Sequence, residues 1–305
     1  MVKSGLVNLD DPIEKYLPAR VRAPTYNGHK ITIENLATHT SGLPDFPGGC
    51  TRNRIYNTQQ VHNFLSNTPL QSEPGVRYNY SDFGVGLLDY ILSIKAGVPY
   101  GELVKERILD VLGMDSMRIA MNSTATIISD ALKSRLAKGH IGGNEVNLEF
   151  IPEAIRPVGA LYSSANDLLK YLAANMGLIH TKINDIQDTH LIRHEEITIA
   201  NSSAIYIGLG WHIITNLGTE VINHAGGIDD YISFQFTGYG YEFDNNYNYR
   251  TQISTRSDRL YNPLGSGGLN NCYKSPYYTK LVVWCILALY LITIENVLLM
   301  RLLMY

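Results

Sequence analysis

The spacing of apolar residues predicts helices along much of the first two thirds of the chain. Residues 81–96 carry apolar side chains at helical spacing on two faces, so this helix is expected to be largely buried. Gly97 ends it, and Pro99 follows closely. Further helices are predicted over residues 31–39, 100–112 and 164–177, the last beginning with a capping-box spacing at Ser164.

Strand patterns are fewer and come later in the sequence. Residues 205–213 and 228–236 are the best candidates, and they are separated by Gly218 and the Gly226-Gly227 pair. No internal repeat is present in the sequence. The pattern therefore predicts a helix-rich region followed by a short β segment.

The composition changes after residue 236. Ten of the 21 tyrosines lie between residues 237 and 305, together with pairs of asparagines and a glycine-rich stretch. Between residues 237 and 280 we find neither strand alternation nor helical spacing, which favours irregular or disordered structure. We therefore expect a domain over residues 1–236 and a boundary near Phe236, followed by an irregular segment.

The last 25 residues, 281–305, are strongly apolar. Residues 281–294 carry no charge, and only Glu295 and Arg301 interrupt the remainder. A membrane-spanning helix needs about 20 mostly apolar residues, so this tail is a candidate span, and a buried or aggregating helix is the alternative. The N-terminus lacks the apolar run of a secretory signal. As a span, the tail would leave the bulk of the chain in the cytoplasm, because Lys274 and Lys280 precede it.

Charge and composition narrow the classes of partner. The chain is 45% hydrophobic and 17% charged, with a formal net charge of -3, which excludes a disordered polyelectrolyte. It also lacks the basic excess with which nucleic-acid-binding proteins contact phosphates. The three cysteines fit no zinc or disulfide framework. Small molecules or other proteins are therefore the expected partners, and no nucleic acid is expected.

Two short motifs could carry chemistry. Tyr80 precedes the predicted N-cap of the helix over residues 81–96, where a tyrosine can face a cleft and act as a base if cations favour its phenolate. A packed tyrosine is the alternative. His224 and the glycines Gly226 and Gly227 precede a predicted strand, where they could present a backbone N–H to a ligand or simply form a tight turn.

The order of these features resembles one family. The chain is similar to the serine β-lactamase and penicillin-binding superfamily, in particular to its class C branch with the related D-Ala-D-Ala carboxypeptidases and esterases. The resemblance covers roughly residues 5 to 236. The blocks that carry it are residues 5–18, 36–43, 78–84, 112–114, 157–168, 208–211 and 224–227.

The resemblance implies a fold, a substrate class and a set of site residues. The implied fold is α+β of the β-lactamase/transpeptidase type, here as a helix-rich lobe with an incomplete antiparallel sheet. Tyr80 would be the base, Asp82 would take the position of the family's asparagine, and His224 would replace its strand lysine. Gly226 and Gly227 would bind substrate, with a Gly227 N–H in the oxyanion hole. The substrates would be acyl-D-Ala-D-Ala peptides, β-lactams or small esters, with no metal or organic cofactor.

The family's nucleophile is missing from the printed sequence. Members of the family acylate the serine of a Ser-x-x-Lys motif upstream of the block that begins here at Gly5. No serine or threonine of this chain has a lysine three residues later. Ser41 belongs to a helix-ending turn, so we interpret it as structural. We therefore expect a truncated serine hydrolase that is inactive as it stands.

Two wider hypotheses follow from these departures. A non-catalytic ligand-binding remnant, tethered to a membrane by residues 281–305, is the alternative to a truncated hydrolase. The region after residue 236 lacks the family's further strands and C-terminal helix, which suggests an out-of-frame or rearranged end.

Overall fold

The structure is a computed structural model, and it describes most of the first 255 residues. The described residues are 1–45, 57–119, 134–141, 144–146, 159, 161–183, 186–191, 194–199, 203–216, 219–228, 231–241 and 247–255. They belong to one compact unit, Met1–Tyr261. Helices and antiparallel strands occupy separate parts of this unit, as in an α+β fold.

The helices lie mainly in the first 180 residues. The α-helices are α1 (Ile33–Ala37), α2 (Thr58–Asn67), α3 (Asp82–Ala96), α4 (Tyr100–Val104), α5 (Asp110–Leu112) and α6 (Ala165–Asn175). A π-helical turn, Lys105–Leu109, joins α4 to α5, so the helix predicted over residues 100–112 forms in three consecutive segments. Short 3₁₀ helices cover Ile13–Lys15 and Ile186–His190.

Side-chain caps set the helix boundaries. Ser81 accepts the Gly84 N–H at the start of α3, and Gly97 ends that helix with a left-handed φ of 73°, which confirms the predicted boundaries. Ser164 caps α6 by accepting the Asp167 N–H. The helix predicted over residues 31–39 is shorter, because a capping box at Thr32 starts α1 only at residue 33.

Among the described residues, the strands form one large sheet and three small two-stranded sheets. The small pairs are β1 (Thr25–Tyr26) with β2 (His29–Lys30), β3 (Arg118–Ile119) with β6 (Leu161–Tyr162), and β4 (Gly139–Ile141) with β5 (Asn144–Val146). The large sheet contains β7 (His194–Ile199), β8 (Ser203–Ile207), β9 (His212–Asn216), β10 (Thr219–Ile228), β11 (Tyr231–Tyr241) and β12 (Tyr247–Thr255). Its strands are all antiparallel and follow the order of the chain, β12-β11-β10-β9-β8-β7.

The predicted strand over residues 205–213 is wrong as a single element. The structure has two strands there, β8 and β9, joined by a turn in which the Gly208 N–H donates to the Trp211 carbonyl (2.7 Å). Gly210 lies at a φ of 77°, a left-handed conformation that residues with a side chain rarely adopt. The two glycines therefore reverse the chain within what looked like one apolar run.

The sheet also continues beyond the expected boundary. Strand β11 runs through Phe236, and β12 lies wholly within the segment expected to be irregular, so that expectation is wrong for residues 237–241 and 247–255. Backbone pairing explains the difference: Tyr239 lies opposite Glu220 on one side and Tyr249 on the other. Tyrosine favours strands, and residues 247–255 alternate tyrosine, threonine and isoleucine with polar residues, a strand signal that could have been used. Residues 256–305 lie outside the described residues.

The apolar core has three parts. The largest part packs α1, α2 and α3 around the fully buried Leu36, Leu65 and Phe83. A second cluster surrounds Met114. The third packs Leu172 of α6 against residues of the sheet and its turn, namely Trp211, Ile213 and Ile222. This third cluster packs α6 against the sheet.

The tail proposed as a membrane span, residues 281–305, lies outside the described residues. Within the part of the chain that the structure describes, no helix has the length and apolar character needed to cross a bilayer.

Candidate active site

A cavity of about 340 Å³ lies where the helices meet the sheet. The polar side chains that line it are His39, Tyr80, Asp82 and His224. The apolar lining comes from α1, α3 and the turn between β8 and β9, namely Ala37, Val85, Leu88 and Leu209. The turn is fixed to α1 because the Gly210 N–H donates to the Ala37 carbonyl (3.0 Å). The cavity is thus lined by four polar side chains and by apolar side chains from three elements.

Tyr80 lies at the rigid junction that precedes α3. The next residue, Ser81, is fully buried, and its hydroxyl donates to the Pro44 carbonyl (2.8 Å) while accepting the Gly84 N–H (2.9 Å). These two hydrogen bonds fix the position of Ser81 and therefore restrain the backbone at the adjacent Tyr80. Tyr80 itself is half-buried and lines the cavity, which is the cleft-facing alternative of the two that the local sequence left open.

Asp82 lines the same cavity from the first position of α3. Its side chain is almost completely buried, and its backbone N–H donates to a carboxylate oxygen of Asp45 (3.0 Å). A carboxylate at a helix N-terminus is stabilised by the helix dipole. Asp82 therefore places an acidic group at the cavity surface. None of the described residues that line the cavity is a lysine.

His224 reaches the cavity from the sheet. It lies within β10, opposite Gln235 of β11, so the structure places it in a strand and not in a turn before one. The pairing of β10 with β9 ends at Asn223 opposite His212, and His224 is the first residue of β10 beyond that pairing. Gly226 and Gly227 continue the same strand, opposite Ser233 and Ile232.

His39 is a site residue that the sequence reasoning missed. It follows α1, is only 3% exposed, and has a φ of 54°, which is unusual for a residue with a side chain. Its ring stacks on Tyr80 with centroids 4.4 Å apart and planes 25° apart. The residue belongs to the block at residues 36–43, but nothing in its local sequence shows which distant tyrosine it contacts.

Burial controls the charge of His39. Desolvation, followed by the neighbouring His224 and His212, lowers the pKa of its imidazole to about 3. The Nδ1 atom accepts the Ser81 N–H (3.1 Å), which requires an unprotonated nitrogen. His39 is therefore neutral near pH 7.

A row of aromatic rings joins the two sides of the cleft. The Tyr78 ring makes edge contacts with His39 and with His212, each at a centroid distance of 6.0 Å. His212 in turn lies 5.5 Å from His224. Side chains on the helical side therefore reach the sheet through continuous ring contacts. No group of three or more metal-binding side chains with suitable geometry occurs within the described residues.

The structure therefore brings Tyr80 and Asp82 into one cavity with His224, which lies more than 140 residues later in the chain. A family model described as Beta-lactamase matches residues 1–248. The chain belongs to the beta-lactamase family. The resemblance to the serine β-lactamase and penicillin-binding superfamily is thereby confirmed, and the match extends past residue 236 into β12.

The curated relatives of this chain include bacterial and eukaryotic proteins. The D-alanyl-D-alanine-carboxypeptidase/endopeptidase AmpH of Escherichia coli K12 is 34% identical over 176 residues, 56% of this chain and 43% of AmpH. The putative beta-lactamase-like 1 protein of Homo sapiens is 26% identical over 243 residues, 75% of this chain and 46% of that protein. The chain thus spans less than half the length of these relatives.

Solved structures of the beta-lactamase family share the fold. A beta-lactamase/D-alanine carboxypeptidase from Yersinia pestis superposes with a TM-score of 0.62 at 23% identity, covering 77% of this chain and 68% of that one. A class C beta-lactamase superposes with the same TM-score at 21% identity, covering 76% and 68%. The expected α+β fold of the β-lactamase/transpeptidase type is confirmed.

Proposed function

We propose that this chain forms part of a cleft for acyl-enzyme hydrolysis of the β-lactamase and D-Ala-D-Ala carboxypeptidase type. Tyr80 lies on the helical side of this cleft and His224 on the sheet side. The observation that carries the proposal is the meeting of Tyr80, Asp82 and His224 around one cavity. Membership of the beta-lactamase family supports serine hydrolase chemistry of this class. We further propose that the chain, as printed, binds its ligand without being acylated by it.

Each polar residue has a distinct role in this proposal. The Tyr80 phenol would take up and pass on the proton of a serine hydroxyl where a Ser-x-x-Lys segment completes the cleft, and His224 lines the same cavity. Asp82 would pair with the lysine of that segment. The Gly227 N–H polarises the ligand carbonyl, with Gly226 allowing its close approach.

The proposed lack of acylation rests on the nucleophile. A Ser-x-x-Lys motif is absent from the printed sequence. Ser41, the alternative serine, is buried, and its hydroxyl oxygen accepts the Leu43 N–H (3.3 Å). That contact supports a structural role in the turn after α1. Without an activated serine near Tyr80, no covalent intermediate forms on this chain.

The shape of the cavity supports a small acyl ligand. A volume of about 340 Å³ lies at the lower end of the range for small-molecule sites. The apolar side chains of the lining suit the acyl group of a β-lactam, an ester or an acyl-D-Ala-D-Ala peptide. The polar side chains of the lining suit the carbonyl and carboxylate of such a ligand. The name of the AmpH relative includes D-alanyl-D-alanine carboxypeptidase, which is consistent with this ligand class. No metal or organic cofactor is part of the proposal.

The first test is covalent labelling. The full chain is incubated with a fluorescent penicillin, and its intact mass is measured. We expect no stoichiometric adduct. An adduct would overturn the proposed lack of acylation, and peptide mapping to Ser41 would identify that residue as the nucleophile.

The second test is reversible binding. Saturation-transfer NMR with an N-acyl-D-Ala-D-Ala dipeptide should give a signal that weakens at least several-fold in Tyr80→Phe and His224→Asn. The N-acyl-L-Ala-L-Ala dipeptide is the matched ligand control, and His180→Asn, at an exposed position, is the matched protein control. Equal signals from wild type and both site variants would contradict the proposed cleft.

A further inference from the structure

We propose that His39 is a positioning residue for Tyr80, which holds the phenol ring in the cavity wall through ring stacking and a hydrogen bond to the neighbouring backbone. This inference rests on the proposed function of the cleft, because it assigns a role around the same tyrosine. His39 acts through Tyr80, so the effect is on the placement of the phenol and not on a bond that is made or broken.

His39 contacts three consecutive residues of the segment that carries the tyrosine. Its backbone carbonyl accepts the Asn79 N–H (2.8 Å), its ring stacks on Tyr80, and its Nδ1 accepts the Ser81 N–H (3.1 Å). Ser81 is in turn fixed to Pro44 and to the first turn of α3. One side chain therefore controls both the backbone direction and the ring orientation of Tyr80.

The backbone of His39 supports a dedicated role. A φ of 54° is unfavourable for most residues with a side chain, and such conformations persist where the surrounding structure holds them. Here the backbone contact to Asn79 and the buried ring supply that restraint. The strained geometry aims the imidazole at Tyr80 and Ser81.

The chemistry of the ring fits the same role. Because Nδ1 accepts an N–H, the single ring proton lies on Nε2, and the ring is a neutral stacking partner. Burial keeps the pKa of His39 low, at about 3. A neutral ring at this position stacks on Tyr80 without placing a further charge in the cleft.

Two variants separate the two contacts. His39→Asn keeps an acceptor near the position of Nδ1 and tolerates a positive φ, but it removes the ring. His39→Phe keeps a ring for stacking and removes the acceptor. A general loss of structure would affect both contacts in both variants, whereas positioning by two contacts predicts opposite patterns.

The readouts are the Ser81 amide and the Tyr80 ring. Amide hydrogen exchange at Ser81 should be about tenfold faster in His39→Phe, the equivalent of one lost hydrogen bond, and close to wild type in His39→Asn. Tyr80 ring signals in tyrosine-labelled protein, assigned with Tyr80→Phe, should lose their ring-current shift in His39→Asn and keep one in His39→Phe. His62→Asn removes another buried histidine and should change neither readout.

Two wild-type measurements keep the inference testable even if a variant fails to fold. A long-range ¹⁵N–¹H correlation should show unprotonated Nδ1 in His39 near pH 7, and nuclear Overhauser effects should connect its ring to the Tyr80 ring. A protonated Nδ1, an absent ring contact, or parallel changes of both readouts in both variants would overturn the role of His39. These signals need no ligand, so a failure of dipeptide binding would count against the proposed function and not against this inference.

Discussion

Lowering the pH from 7 to 5 should weaken the fold through His39. The imidazole has a folded-state pKa of about 3, because it is buried and lies near His224 and His212, whereas an unfolded histidine has a pKa near 6.5. Between pH 7 and pH 5, the unfolded chain therefore binds a proton at His39 that the folded chain does not bind. The stability from the neutral ring is complete above about pH 6.5 and is lost as the pH falls towards 3.

The size of the effect follows from the pKa difference. A pH of 5 is about 1.5 units below the pKa of the unfolded histidine, which is then protonated, while the folded histidine is still neutral. Each unit corresponds to about 1.36 kcal/mol, so His39 alone should lower the free energy of unfolding by about 2 kcal/mol between pH 7 and pH 5. The side chain is almost completely buried, so solvent screening reduces this figure little.

The measurement is urea unfolding of the full chain at several pH values, with the wild type, His39→Asn and His180→Asn compared. Other groups titrate in all three proteins, so the difference between their pH dependences isolates His39. We expect the drop from pH 7 to pH 5 to be about 2 kcal/mol smaller in His39→Asn and unchanged in His180→Asn. Equal drops in wild type and His39→Asn would refute the assignment of a buried, neutral His39.

Three further predictions concern the core and the chain ends. Phe83→Ala should lower the free energy of unfolding by about 3–5 kcal/mol because Phe83 is fully buried, whereas Val76→Ala, at a side chain 71% exposed, should have little effect; urea titrations compare them. Residues 1–236 should aggregate more than residues 1–261, because the shorter form cuts β11 and removes β12, exposing strand edges; light scattering measures this, and equal monodispersity would contradict it. If residues 281–305 anchor the chain, alkaline carbonate will leave the full chain in the membrane fraction and release the chain without them; release of both would exclude an anchor.

Local patterns predicted the elements whose boundaries are set locally. Ser81, Gly97 and Pro99 mark the ends of α3 in the sequence, and the structure places those ends within one residue of the prediction. For Tyr80 the local sequence left a cleft-facing and a packed tyrosine open, and its assignment to the site came from the family resemblance. His224 depended on the family resemblance, since its local sequence fitted a turn as well as a strand.

Features that depend on contacts between distant residues were missed. Strand β12 was missed for another reason, because residues 247–255 do alternate tyrosine, threonine and isoleucine with polar residues, a local strand signal that was not used. The role of His39 depends on Ser81, 42 residues further along the chain, and a sequence pattern does not contain that contact. Helix α2 begins at a capping box formed by Asn57 and Gln60, a local signal that could have been used.

The sequential order of the large sheet has a consequence for how the chain folds. Each strand from β7 to β12 pairs only with strands adjacent to it in the chain, among the residues that the structure describes. Contacts between residues close in sequence form with a small loss of loop entropy, so a meander of this kind can assemble hairpin by hairpin at a high rate. Closure of the cleft instead requires residues near position 80 to meet residues near position 224. The sheet side of the cleft, which carries His212 and His224, can therefore form early. Docking of the helical side is expected to be the slower step.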